Sequence, residues 1–206
     1  MKKAWLAVPV LLAAAGCGYN RIQQLDEQAN GAQGQIEVQL KRRADLIPNL
    51  VQTVKGYAQH EEAVFTQVAQ ARAGVLNAVD SHDPAAMATA DAQMTGALGR
   101  LIAVAEAYPQ LKADAQFTRL MDELSGTENR IAVARGDYNT AAQEYNTYIR
   151  QFPQTLTAKA TGAKQRKYYE AGAAAREAPT VDFSRSPGSG AAAAPGAGAT
   201  AAAKRP

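Results

Sequence analysis

The stretch "FTRLMDELSGTENRIAVARGDYNTAAQEYNTYIRQF" (Phe117–Phe152) carries the most regular pattern in the chain. Phe117, Leu124, Ile131, Tyr138, Tyr145 and Phe152 recur every seven residues. Leu120, Thr127, Ala134, Ala141 and Tyr148 fill the step between them, completing a 3-4 heptad. At about 1.5 Å per residue the repeat predicts one helix on the order of 50 Å long. Ser125-Gly126-Thr127-Glu128 resembles a capping box that could restart a helix. The heptad keeps its phase across it, so Gly126 reads as a soft spot within one helix, ended by Pro153.

Such a seam needs other helices to cover it. Upstream, an apolar stripe at three- and four-residue steps runs through Leu40, Ile47, Leu50, Val51, Val54, Tyr57 and Ala58. It continues through Val64, Phe65, Val68, Val75, Leu76 and Val79, giving a first helical block from about Gln35 to Val79. Pro48 interrupts it, where a proline removes one backbone donor and crowds the preceding turn. The expectation is a kink at Pro48 that divides an entry segment from a bundle segment. A second block, about Ala85 to Tyr108, carries Met87, Met94, Leu98, Leu101, Ile102 and Ala105. Asp83 suits its N-cap, Pro84 its first helical position, and Pro109 its end. After Pro153 a short helix is expected around Gln165 to Arg176. From Ser184 the chain is mostly Ala, Gly and Pro, which cannot build a core, so a disordered tail is expected. The predicted fold is all-α: an elongated antiparallel bundle of three long helices, four if the first is split at Pro48.

The basic balance (22 Lys+Arg against 19 Asp+Glu) does not describe the folded part. Lys2 and Lys3 lie in the N-terminal apolar leader, and Arg185, Lys204 and Arg205 in the low-complexity tail. Setting these five aside leaves 17 cations against all 19 acids, about −2 overall. A nucleic-acid binder would show a clustered basic face, so no nucleic-acid partner is expected.

"MKKAWLAVPVLLAAAGCGYN" pairs two lysines with an apolar run from Ala4 to Ala15, too short to span a bilayer, which takes about 20 residues. Cys17, the chain's one cysteine, follows Ala14-Ala15-Gly16 directly. This resembles a bacterial lipoprotein signal, with Ala14 where leucine is usual. Residues 1–16 then form the signal, 17–34 the lipidated N-terminus and entry segment, 35–183 the bundle and 184–206 the tail. Acyl chains on Cys17 would give stable membrane anchoring. In a host with two membranes, Gly18 after the cysteine fits the periplasmic face of the outer membrane.

The phrases "QIEVQLKRRADLIPNLVQTVKGYAQHE", "AVAEAYPQLKA", "LSGTENRIAVARGDYNTAAQEYNTYIRQFP" and "PTVDF" resemble the LemA family of bacterial envelope proteins, over about Tyr19 to Phe183. The resemblance implies an elongated antiparallel helical bundle tethered by its N-terminus, in a family with no settled molecular function. It brings no catalytic residues. Two departures stand out: Gln33 replaces an aromatic common before the first phrase, and the tether resembles a lipid where many relatives use an uncleaved transmembrane helix.

Chemical motifs are sparse. His60-Glu61-Glu62-Ala63-Val64 nearly spells H-E-x-x-H, but Val64 stands where the second ligand must be. Phosphate-loop and nucleophile-elbow patterns are missing, and "SPGSG" in the tail lacks a flanking strand and helix. No metal, cofactor or catalytic residue is expected. Interaction residues are a better search. Lys41, Arg42 and Arg43, with Asp45 and Pro48 beside them, form a basic cluster on the first block. Its arginines could fix register against Glu123, Glu128 or Asp137 of the third block, or meet anionic headgroups. Tyr138-Asn139 and Tyr145-Asn146 repeat one heptad apart. The tyrosines are expected to pack over Ala134 and Ala141, with their hydroxyls bonded inside; the alternative is a ladder for an extended ligand. The expected function is a non-enzymatic, membrane-anchored scaffold or docking protein for other envelope proteins; direct action on the bilayer is the alternative.

Overall fold

The computed structural model describes the backbone of residues 7–170 and the side chains of residues 18–170. The tail expected from Ser184 lies outside the described residues. Six helices follow one another: α1 (Ala7–Lys55), α2 (Glu62–Asp80), α3 (Pro84–Glu106), α4 (Pro109–Lys112), α5 (Ala115–Tyr148) and α6 (Gln154–Thr161). There is no strand among the described residues. The all-α expectation holds.

α1 packs along α5, α2 packs on α3 and also on α1, and α6 closes against α1. Tyr57 meets Asp114, Arg43 meets Glu128 and Gln39 meets Arg130, so α1 and α5 run antiparallel. One core runs from Ile36 and Leu40 through Val54, Met94 and Leu101 to Ile131 and Tyr138. A smaller one joins Ile22 and Leu25 of α1 to Tyr145 and Ile149 at the end of α5 and Ala158 of α6. Asp83 caps α3 through the Ala85 N–H, with Pro84 in the first turn as expected. Asp114 caps α5 by accepting from Gln116 and Phe117.

The break in the first block falls elsewhere than expected. α1 passes through Pro48 and ends at Lys55; Gly56–Glu61 form the turn into α2. Residues 35–47 are not a separate entry segment, because Ile36, Leu40, Ala44 and Ile47 are buried in the same core as Leu50 and Val54. Gly56, with its low helix propensity, lets the chain turn, while Ala58 plugs the turn from inside.

Pro48 leaves one mark. A proline has no N–H to give the carbonyl four residues before it, here Ala44. That carbonyl accepts instead from Arg72 Nε on α2 at 2.9 Å. The orphan left by the proline thus becomes an attachment point for the next helix. Arg72→Met should cost about 1–2 kcal/mol, the range for a partly buried group losing a charged partner. Pro48→Ala should recover more stability in the Arg72→Met background than in the parent, since the new amide supplies the missing bond. Urea unfolding of the four proteins measures that coupling.

α5 is continuous through Gly126, and Phe117, Leu120, Leu124, Thr127, Ile131, Ala134 and Tyr138 are all buried. Beyond Tyr138 the seam moves. Ala142 and Ile149 are buried, where the strict heptad names Ala141 and Tyr148, and Phe152 is 80% exposed. An α-helix of 3.6 residues per turn drifts about 20° per heptad, so a buried stripe must eventually step by four. The helix ends at Tyr148, before Pro153, which instead precedes α6. The helix expected over 165–176 is not formed within 165–170, where the chain has no regular secondary structure.

Candidate functional site

What holds residues 163–170 is the tyrosine-asparagine repeat of α5. Asn146 Nδ2 donates to the Arg166 carbonyl at 2.9 Å, and its Oδ1 accepts from the Arg166 N–H at 2.8 Å. Asn139 repeats the arrangement on Tyr169, at 3.0 and 2.8 Å. Each carboxamide therefore grips both backbone groups of one residue, as a neighbouring β-strand would. The spacing explains the register. Seven residues of helix rise about 10.5 Å, and three residues of extended chain span about 10 Å. With the two asparagines one heptad apart, every third residue of an antiparallel extended segment meets one.

The tyrosines complete the clamp. Tyr138 donates its hydroxyl to the Lys167 carbonyl at 2.7 Å, and the Tyr145 ring lies under the Arg166 guanidinium, 5.6 Å from its centroid. Arg166 also ties the segment to α1, donating to Asp26 Oδ1 from Nε (3.0 Å) and Nη2 (2.8 Å) and to Asn30 Oδ1 at 2.7 Å. Tyr169 is buried, with Arg135 over its ring at 5.1 Å. The two sequence expectations for this repeat thus merge in part: Tyr138 packs and bonds inside, Tyr145 packs against Ile22 and Leu25 with its ring under Arg166, and the extended chain on the ladder is the protein's own.

Arg135 leads to an ionic centre between α1, α3 and α5. Arg43 Nη1 lies 2.7 Å from both Asp91 Oδ1 and Glu128 Oε2, and Nη2 donates to Thr95 Oγ1 at 3.1 Å. Arg135 pairs with the other oxygen of Asp91. Two guanidiniums thus face two carboxylates, with Arg43 and Asp91 almost fully buried. Burial lowers the Arg43 pKa from its ordinary value, with Glu128 and then Tyr169 opposing. Of the basic cluster singled out in the sequence, Arg43 alone enters the bundle; Lys41, Arg42, Asp45 and Pro48 are exposed. Glu128 is the acid it meets, while Glu123 and Asp137 are exposed.

Sequence reasoning missed Asp91, Thr95, Arg135, Arg166 and Tyr169. One signal was available: Asp91 stands between Met87 and Met94 on the apolar stripe of α3, an acid on a core-facing position. His82 is in the α2–α3 loop, where Glu37 Oε1 lies 2.9 Å from Nδ1. Among the described residues no group of three His, Cys, Asp or Glu is placed to hold a metal ion, and no helix is long and apolar enough to cross a membrane. The Cys17 side chain lies outside the described residues.

The model of the LemA family matches residues 32–183, which include the main core, the ionic centre and the clamped segment. The chain belongs to the LemA family. It is 29% identical over 188 residues to magnetosome protein MamQ 2 of Paramagnetospirillum magneticum, covering 80% of this chain and 69% of that protein. It is 28% identical over 174 residues to MamQ of Magnetospirillum gryphiswaldense, covering 73% and 64%. Protein LemA of Metamycoplasma hominis shares 25% identity over 134 residues, 65% of this chain and 60% of that one.

In this LemA-family bundle the tyrosines around the clamp titrate late. Burial raises Tyr138, Tyr145 and Tyr169 above the ordinary 10.0, with Arg166 opposing at the first two and Arg135 at the third. The folded state therefore holds these protons more tightly than the unfolded chain. Their contribution to stability is intact below pH 10 and is lost as pH rises through the unfolded value toward the folded ones. Urea midpoints should fall between pH 9 and pH 11, and less steeply in Tyr169→Phe.

Proposed function

We propose that this LemA-family protein is a membrane-anchored envelope lipoprotein, held by acyl chains on Cys17, whose bundle serves as a scaffold or docking body for other envelope proteins. The observation that carries the reading is the continuity of α1. Ile22, the first fully buried side chain among the described residues, comes five residues after Cys17 on the same helix, about 8 Å along its axis. An anchor at Cys17 would therefore hold the bundle directly, with no flexible linker between. The polar residues support a structural role. Arg43, Asp91, Glu128 and Arg135 are engaged with one another, and Asn139 and Asn146 with the protein's own backbone. Likeness to magnetosome proteins supports a place among proteins of a cellular structure.

The burial of Arg43 weakens the alternative in which Lys41–Arg43 contact headgroups, and Lys41 and Arg42 lie about 36 Å along α1 from Cys17. Mass spectrometry of protein purified from its native membrane should find Cys17 as the first residue, carrying acyl chains. An intact Met1 or an unmodified Cys17 would overturn the anchor. In-cell cross-linking tests the scaffold: recovery of envelope proteins is the expected result, and a bundle cross-linked to nothing contradicts it.

A further inference from the structure

The end of the bundle nearest Cys17 is built unlike the rest. A side chain placed at Gly18 would stand 3.6 Å from Gln154 Cγ and 3.6 Å from Thr157 Oγ1, so α6 packs directly beside the residue that follows the cysteine. α6 turns Ala158 inward onto Ile22 and Leu25. Outward it presents Leu156, 59% exposed, and the turn before it presents Phe152, 80% exposed. Tyr19 adds a third exposed large side chain in the same neighbourhood. Two large apolar side chains at a helix-turn corner gain nothing there from water.

The charge of this end is mostly positive, with Glu144 and Glu170 just outside the stretch that forms the corner. From Tyr145 to Tyr169 the chain has no acidic residue, but it has Arg150, Lys159, Lys164, Arg166 and Lys167. Arg166 is bound to Asp26, and Lys167 approaches Asp83. Arg150, Lys159 and Lys164 are exposed and have no ion-pair partner among the described residues. Apolar side chains ringed by unpaired cations are the composition that settles at the boundary between anionic headgroups and acyl chains.

We propose that the corner formed by Phe152 and α6 docks onto the surface of an anionic membrane, with Phe152 and Leu156 entering the acyl boundary and Arg150, Lys159 and Lys164 meeting headgroup phosphates. This rests on the anchor reading for its orientation, because the corner abuts the residue next to Cys17. It would turn a single point of attachment into a surface and fix the tilt of α1 against the bilayer.

The test places a benzophenone side chain at position 152 or 156 of the full chain, reconstituted in phosphatidylethanolamine–phosphatidylglycerol vesicles and irradiated. Positions 133 and 38, exposed hydrophobics elsewhere in the bundle, are the controls. Phospholipid adducts should form at 152 and 156 at least ten-fold above the controls. Arg150→Gln, Lys159→Gln and Lys164→Gln together should lower their yield several-fold, and high salt should do the same. Equal yields at all four positions, or cross-links from 152 to a second copy of the chain, would overturn the docking. Mass spectrometry of Cys17 in the same samples separates the two claims. An acylated cysteine without adducts refutes the docking and leaves the anchor; adducts with an unmodified cysteine do the reverse.

Discussion

Asp91→Leu is expected to destabilise the bundle by about 3–5 kcal/mol, the cost of removing one member of a buried ion-pair network. Both carboxylate oxygens of Asp91 are engaged, one by Arg43 and the other by Arg135. Loss of the acid leaves two guanidiniums facing each other. Arg135, with 27% of its side chain exposed, can swing toward solvent, whereas Arg43, at 6%, cannot, and keeps Glu128 as its one carboxylate, with Thr95 beside it. Arg43→Met should cost less, because Asp91 then retains Arg135. The double variant Arg43→Met/Asp91→Leu should lose at least ~1 kcal/mol less than the sum of the singles, since neither leaves the other unpaired. Urea unfolding of the three variants checks this. Additivity would mean the two side chains act independently.

The second large effect belongs to the clamp. Asn139→Ala/Asn146→Ala removes four hydrogen bonds that hold Arg166 and Tyr169 by their backbone groups. At roughly 1 kcal/mol each, the loss exceeds what a short segment without helix or strand can bear, so residues 163–170 should leave the groove. Cleavage by trypsin after Arg166 and Lys167 should then accelerate at least ten-fold, while the far-UV circular dichroism of the helices changes little. Asn146→Asp should behave like alanine. A carboxylate keeps the acceptor for the Arg166 N–H but has no proton for its carbonyl, and the two oxygens would repel.

Much of this was legible in the residues. The heptad from Phe117 to Tyr138 announces the long helix and Asp83-Pro84 announces the start of α3, while the tyrosine-asparagine repeat is visible as a repeat whose expected role is packing, with a ladder as the alternative. Three features were hidden. The apolar stripe of the first block keeps helical spacing on both sides of Gly56–Glu61, and periodicity cannot say whether two such stretches are collinear. Pro48, the conspicuous interruption, was absorbed by Arg72, a partner twenty-four positions away. The stretch "KQRKYY" has helix-compatible residues, but its backbone groups find better partners in two carboxamides of α5, and tertiary contact overrides local propensity. The ionic centre was half visible: Arg43 and Glu128 were candidates, while Asp91 was hidden among the alanines and methionines of α3.

The central claim is that α5 reads its own chain as an extended ligand. Amide hydrogen exchange by nuclear magnetic resonance tests it most directly, because residues 165–170 lie outside any helix or strand. The Arg166 and Tyr169 amides, which donate to Asn146 and Asn139, should be protected while Tyr168 between them exchanges fast. Asn146→Ala should release Arg166 and Asn139→Ala should release Tyr169. Rapid exchange at both amides in the parent protein would contradict the account.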